Sequence, residues 1–398
     1  MPSTRIHSAA LRGWGRLASD ATLGLTAIVE GMHRNVSPIQ RLLGSASRGR
    51  TAGLTGVVYG SIRGITQLVG IGFDAAAARY APAPDAGPSL EGEVARGILN
   101  GVVGDHLAAT RNPLALPMEL RHAGQPLPLC RRTLRARLPR PGAKVLVLVH
   151  GLCATDQQWA RAGHDHGAAL ARDLGYVPIY LRYNTGLHVS TNGRSFAWVL
   201  ERLIHAWPRR PEELTILAHS MGGLVARSAC HAGAVLGHSW LQRLGTIVFL
   251  GTPHHGAPLE RGGSWIDAAL GLSSYTLPLS KLGRVRSAGI TDLRHGNLLD
   301  EDWQGRDRFS LECNRPCAVP LPRGVRCHAI AATAAGQGML AGLVGDGFVT
   351  VDSALGRHPD PRYALQIPEA GRWIARGVGH NGLLDDAAVY DRIRQWLA

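Results

Sequence analysis

Lysine is almost missing from this 398-residue chain: Lys144 and Lys281 are the only two among 43 basic side chains, so the net charge of +14 is carried by arginine. Any recognisable nucleic-acid-binding module to go with that charge is missing too. The excess is local, because residues 111–142 hold seven arginines and one glutamate while the first 110 residues carry only +3 and the remainder +5. A nucleic-acid partner is therefore excluded. The six cysteines (Cys130, Cys153, Cys230, Cys313, Cys317 and Cys327) show none of the paired spacings that hold zinc, and no metal or cofactor is expected. Cys153 and Cys230 fall at apolar core positions, whereas Cys313 and Cys317 lie in a polar loop and could bridge in an oxidising compartment. No secretory leader is expected from the N-terminal residues. Arg5, Arg12 and Arg16 precede only a short apolar run, Ala21 to Val29, with no small-residue cleavage site after it. The cytoplasm is the expected location, with membrane association left open. The nearest approach to a membrane-length apolar run is Ala52 to Phe73, but Arg63 sits at its middle, where a charge is costly.

Glycine, by contrast, is abundant at 50 residues, so a lone glycine motif carries little weight. One such motif gains weight from its setting. Residues 216–227 read Ile-Leu-Ala-His-Ser-Met-Gly-Gly-Leu-Val-Ala-Arg. The apolar run Leu214 to Ala218 has strand character, and Leu224, Val225 and Ser228 then resume with helical spacing. Ser220 thus falls on a sharp strand-to-helix turn, where a strained backbone projects the hydroxyl outward and small neighbours are needed. Ala218 stands where the usual motif has glycine.

A serine hydroxyl needs a base, a group to orient that base, and donors for the oxyanion. Downstream, Gly345-Asp346-Gly347 places a carboxylate in a turn after the apolar run Val325 to Ala332. Gly379-His380-Asn381-Gly382 puts an imidazole in a loop before a last helix, Asp386 to Leu397. Asp352 competes with Asp346 but reads as an N-cap ahead of Ser353-Ala354-Leu355, and His358 competes with His380 but lies close to the acid in a turn-like loop. Upstream, Lys144 to Val149 is a continuous apolar strand of the kind buried in a parallel sheet, and it runs into His150-Gly151-Leu152. The backbone N–H groups of Leu152 and Met221 are the expected oxyanion donors. His164-Asp165-His166 hints at a metal, but no third ligand at fitting spacing supports it and a helix N-terminus is the better reading; His254 and His255, also tempting as ligands, lie beside the nucleophile strand and are expected to shape the floor of the site.

Val149-His150-Gly151-Leu152, Ala218-His219-Ser220-Met221-Gly222-Gly223, Gly251-Thr252-Pro253-His254-His255-Gly256, Gly345-Asp346-Gly347 and Gly379-His380 match, in order, the blocks of a known family. Over residues 113–398 the chain resembles bacterial lipases of the α/β-hydrolase fold, and is most similar to triacylglycerol lipases and the related inositol-deacylase-like esterases. The resemblance implies a mostly parallel sheet with helices on both faces. It also implies Ser220 as nucleophile, Asp346 as orienting acid and His380 as base. His150, Gly151, His219, Thr252, His254 and Trp265 are expected around the substrate pocket. Secreted relatives carry a calcium-ligating aspartate two residues after the catalytic histidine; Gly382 stands there, so no calcium site is carried over.

Residues 1–112 fall outside that pattern and read as an N-terminal helical module, with helices at Ala21 to His33, Gly53 to Tyr80 and Glu91 to Thr110. Gly56, Gly60 and Gly64 recur every four residues on the second, a surface that another helix can approach closely. The module is expected to dock on the hydrolase domain or to associate with a lipid surface. Within 113–398, a hairpin is expected over about 117–138, with Thr133 to Leu138 as an amphipathic strand. Its arginines either protect a sheet edge or, with the rest of residues 1–142, meet an anionic membrane. Residues 257–324 read as a lid-like insertion, with Trp265, Tyr275, Leu277 and Leu279 placed to cover an acyl chain. The resulting expectation is a serine ester hydrolase for medium to long acyl esters. A lipid- or granule-surface-associated deacylase or acyltransferase is the second reading.

Overall fold

The computed structural model describes residues 12–20, 22–23, 90–138, 144–209, 211–257, 286–307, 316–333 and 345–398. Packing divides the chain into two compact units, Met1–Ser89 with Leu107–Ala115, and Leu90–His106 with Leu116–Ala398. In the first unit residues 12–20 are helical, and the buried Asn112 donates through Nδ2 to the Gly13 carbonyl at 3.0 Å. The helix read at Gly53 to Tyr80, with its glycine repeat, and that read at Ala21 to His33, apart from residues 22–23, lie outside the described residues, as do Trp265, Tyr275, Leu277, Leu279 and Cys313. Among the described residues no helix is long and apolar enough to cross a membrane.

The second unit is built on eight strands: β1 Glu119–His122, β2 Gln125–Pro126, β3 Lys144–Val149, β4 Val177–Arg182, β5 Glu213–His219, β6 Leu244–Leu250, β7 Arg326–Thr333 and β8 Arg372–Arg376. Their order in the sheet is β2-β1-β4-β3-β5-β6-β7-β8. β1 is antiparallel to both neighbours and every other pairing is parallel. Because side chains alternate along a strand, the apolar runs feed two cores. Val147, Ile216 and Ile247 stand in register and face one core, while Leu148, Leu217 and Val248 face the other.

Helices cover both faces, as expected of an α/β-hydrolase. They are α1 Leu90–Ala109, α2 Arg131–Arg137, α3 His166–Leu174, α4 Val189–Ala206, α5 Met221–Leu236, α6 Ala288–His295 and α7 Ala387–Leu397. On α4 the buried positions Phe196, Leu200 and Leu203 follow helical spacing, while Trp198, Arg202 and His205 between them are exposed. With Leu224, Val225 and Ala229 of α5 they close the first core. Leu170 of α3 and Val389, Ile393 and Leu397 of α7 close the second. Each fully buried side chain of this size contributes about 1.5–3 kcal/mol. Asp165 caps α3 by accepting from the Ala168 N–H at 2.9 Å, so His164-Asp165-His166 is a helix start. His164 and His166 bond to each other at 2.7 Å, and among the described residues no three His, Cys, Asp or Glu side chains gather as a metal site.

One expectation changes. The strand read over Thr133 to Leu138 is the helix α2: Leu134 and Leu138 are buried one turn apart, and Ala136, which a strand would bury with them, is exposed. Leu90–His106, most of α1, belongs to the same compact unit as the sheet. On α1, Gly97 and Gly101 let the helix backbone lie directly on the loop after β3. A Cβ on Gly101 would sit 2.8 Å from the Cys153 Cα, and one on Gly97 3.1 Å from the Ala154 carbonyl carbon.

Candidate active site

The strand-to-helix turn is closed by glycine. β5 ends at His219 and α5 begins at Met221, leaving Ser220 at φ 53° and ψ −127°, a sparsely populated region that costs a non-glycine residue about 1–3 kcal/mol. The strain is held from three sides. The Ser220 N–H donates to the Leu250 carbonyl at the end of β6, at 2.8 Å. Gly222 lies against the end of β3, where a Cβ would stand 2.5 Å from the Val149 carbonyl oxygen and 2.6 Å from that of His150. Gly223 lies against Thr252, so Thr252 packs beneath the first turn of α5. The Ser220 hydroxyl is buried and has no hydrogen-bond partner among the described residues.

Asp346 follows β7 in a turn flanked by Gly345 at φ 56° and Gly347 at φ 92°. Its Oδ1 accepts from the Phe348 and Val349 N–H groups at 2.9 and 2.8 Å, which fixes the carboxylate plane. Its Oδ2 is 2.6 Å from Nδ1 of His380, with both side chains almost wholly buried. Asp352, by contrast, is exposed, and the short helical turn it was expected to cap, Val351–Ala354, is capped by Thr350. His358 stacks edge-on with His255 and accepts from the Asp360 N–H, away from this pair.

His380 opens the helical turn His380–Leu384. Its ring lies 4.8 Å from that of His219, and a Cβ on Gly251 would stand 3.0 Å from its Cε1. Gly251, at φ 58°, follows directly on the Leu250 carbonyl that accepts from Ser220. The ends of β5, β6 and β7 thus bring Ser220, Asp346 and His380 to one place, the C-terminal edge of a parallel sheet, where such folds bind ligands.

On the other side of Ser220, Gly151 approaches closely: a Cβ there would be 3.0 Å from the Ser220 Cβ. His150 is stacked on Tyr183 with ring centroids 4.4 Å apart, and burial lowers its pKa to about 4. Burial drives His219 well below the ordinary histidine value, helped by the neighbouring His380. Both rings are therefore neutral walls at pH 7. Burial also pushes the Cys153 thiol up to about 12, which keeps it protonated at pH 7. His254 faces away from this set: its Nδ1 is 3.4 Å from the Arg227 guanidinium and its ring packs edge-on against Phe249.

The sequence places Tyr183 and Thr185 in a loop, 183–188, at the rim of the pocket; the bonds that they and Gln158 make are seen only in the fold. Tyr183 donates to the His150 carbonyl at 2.8 Å, Gln158 accepts from the Gly151 N–H at 3.3 Å, and Thr185 accepts from the Cys153 N–H at 3.2 Å. None belongs to a motif. They meet the loop only because β4 lies beside β3 in the sheet and a helical turn follows that loop.

Residues 141–320 match the family model of the PGAP1-like alpha/beta domain. The fold is that of the α/β-hydrolases. The match takes in β3 through β6 and so includes Ser220, while Asp346 and His380 lie beyond it. A search of curated proteins found no match. Among solved structures, the chain is similar to the mature form of the Bacillus licheniformis lipase BlEst2. That similarity has 20% identity and a TM-score of 0.41, over 66% of this chain and 95% of the lipase. It is also similar to phospholipase PlaB of Legionella pneumophila (15% identity, 64% of this chain, 59% of that one, TM-score 0.38). A third is the Pyrococcus furiosus esterase Pf2001 (13% identity, 64% and 79%, TM-score 0.36).

Proposed function

We propose that the domain is a serine carboxylester hydrolase. The observation that carries this reading is the buried 2.6 Å bond between His380 and Asp346, set beside a serine held in a strained turn. Ser220 Oγ attacks the ester carbonyl while His380 Nε2 takes its proton. The oxyanion accepts hydrogen bonds from the N–H groups of Leu152 and Met221. Collapse breaks the bond to the alcohol, which leaves with the proton from His380. Water, deprotonated by the same imidazole, then releases the acid and restores Ser220. Asp346 holds the Nδ1–H throughout and so fixes the tautomer that leaves Nε2 basic. Met221 is the first residue of the 16-residue helix α5, whose N-terminal dipole favours negative charge at the oxyanion.

The acyl chain is proposed to be of medium to long length, from the apolar Leu152 after His150-Gly151 and the apolar residues of the 257–324 insertion. Resolution of the acyl-enzyme by an alcohol would make the same machinery an acyltransferase, and product analysis with added alcohol separates the two. Ser220→Ala should abolish p-nitrophenyl ester turnover and leave the unfolding midpoint unchanged. With the unaltered chain, a series from about two to sixteen carbons should peak beyond butyrate. Turnover retained in Ser220→Ala would overturn the hydrolase reading, and an optimum at acetate would overturn the chain-length reading.

A further inference from the structure

The loop Gly151-Leu152-Cys153 is tied on both sides of one peptide group. The His150 carbonyl accepts from the Tyr183 hydroxyl, the Gly151 N–H donates to Gln158, and the Cys153 N–H donates to Thr185. Between these ties, the Leu152 N–H has no acceptor among the described residues. Cys153 itself stands at φ 59°, in the left-handed region that a residue with a side chain holds only under constraint. Two things supply the constraint. One is the hydrogen bond to Thr185; the other is Gly101 of α1, which lies against the Cys153 backbone.

Thr185 is in turn held rigidly. It is completely buried, and its neighbours are fixed on each side. Asn184 donates to the Gly104 carbonyl at 2.8 Å and accepts from the Gly186 N–H at 3.0 Å. The Gly186 carbonyl accepts from the Gly289 N–H of α6 at 3.1 Å, and a Cβ on Gly289 would stand 3.1 Å from the Cε of Met221. The segment 184–186 therefore touches the supports of both expected oxyanion donors.

We propose that Thr185 and Gln158 are positioning residues of the oxyanion hole: by claiming the amides on either side, they aim the Leu152 N–H at the oxygen that becomes negative. This rests on the reading of Ser220 as the nucleophile. The ground-state ester does not need the aimed donor, and the tetrahedral intermediate does. Loss of a tie therefore appears in kcat and not in KM.

The test uses the full chain with Thr185→Val, which keeps the shape and removes the acceptor, Thr185→Ser, which restores it, and Gln158→Leu. Active serines are first counted with a fluorophosphonate probe, so that kcat is expressed per reactive Ser220. Thr185→Val and Gln158→Leu should lower kcat by roughly 10- to 100-fold with KM held within about twofold, and Thr185→Ser should recover most of the loss. If Thr185→Val fails to fold, the partly exposed Gln158→Leu carries the test alone. Wild-type kcat per labelled serine in the hydroxyl-free and amide-free variants, or a Thr185→Ser variant as slow as Thr185→Val, would overturn the proposal. Failure of the probe to label Ser220 in the unaltered chain would instead overturn the nucleophile assignment.

Discussion

Asp346 gives one carboxylate oxygen to two backbone amides and the other to His380, so its orientation is set before any substrate arrives. That division makes Asp346→Asn a clean test of its role. The amide oxygen can keep the Phe348 and Val349 bonds, but the amide nitrogen then faces Nδ1 with hydrogens of its own. The imidazole is forced into the tautomer that carries its proton on Nε2 and cannot accept one from Ser220. Turnover should fall about 10⁴-fold, as it does when the equivalent carboxylate of a serine protease is changed to an amide. Steady-state kinetics beside a urea titration checks this, and a loss of turnover matched by a loss of folding would count against it. The turns that carry Asp346 and His380 were both legible in the chain, because glycines flank each of them. The bonds of Thr185, Gln158 and Tyr183 were not, since each needs a partner that only folding brings near.

At the scale of elements, α1 supports the loop that follows β3. Gly101→Ala would add a methyl group 2.9 Å from the Cys153 N and 2.8 Å from its Cα, and backbone cannot yield as a flexible side chain can. Alanine improves helix propensity by about 1 kcal/mol, but overpacking against backbone costs about 1–3 kcal/mol. The clash should win. We expect a lower urea midpoint together with slower ester turnover; a variant more stable than the parent would show that α1 does not press on the loop. The element misread from sequence was α2. Leu134 and Leu138 satisfy both a two-residue and a four-residue period, and the only residue that separates the two, Ala136, is equally at home inside or outside.

Across the whole molecule, the buried histidines set the response to acid. Burial lowers His150 and His166 to about 4, and His219 lies well below its ordinary value. In the unfolded chain each titrates near 6.5, so between that value and about 4 the unfolded state binds more protons than the folded one. Stability is therefore complete above about 6.5 and falls as the pH drops through that window, with a slope of about 1.4 kcal/mol per pH unit for each such group. The urea midpoint should decline clearly from pH 7.5 to pH 5. A flat profile would mean that these rings are hydrated in the folded state.

Sequence by itself determined the mostly parallel sheet and the strand-to-helix turn at Ser220. Continuous apolar strands such as Lys144–Val149 can only be buried on both faces, and the glycines after Ser220 permit a turn that bulkier residues would block. Only the tertiary structure decided that Leu90–His106 joins the sheet unit, that Arg131–Arg137 is helical, and that Thr185 and Gln158 bond to the loop after β3. The physical reason is range. A period or a turn is written in neighbouring residues, whereas a hydrogen bond across 32 positions, such as that from Cys153 to Thr185, exists only once the strands between have paired.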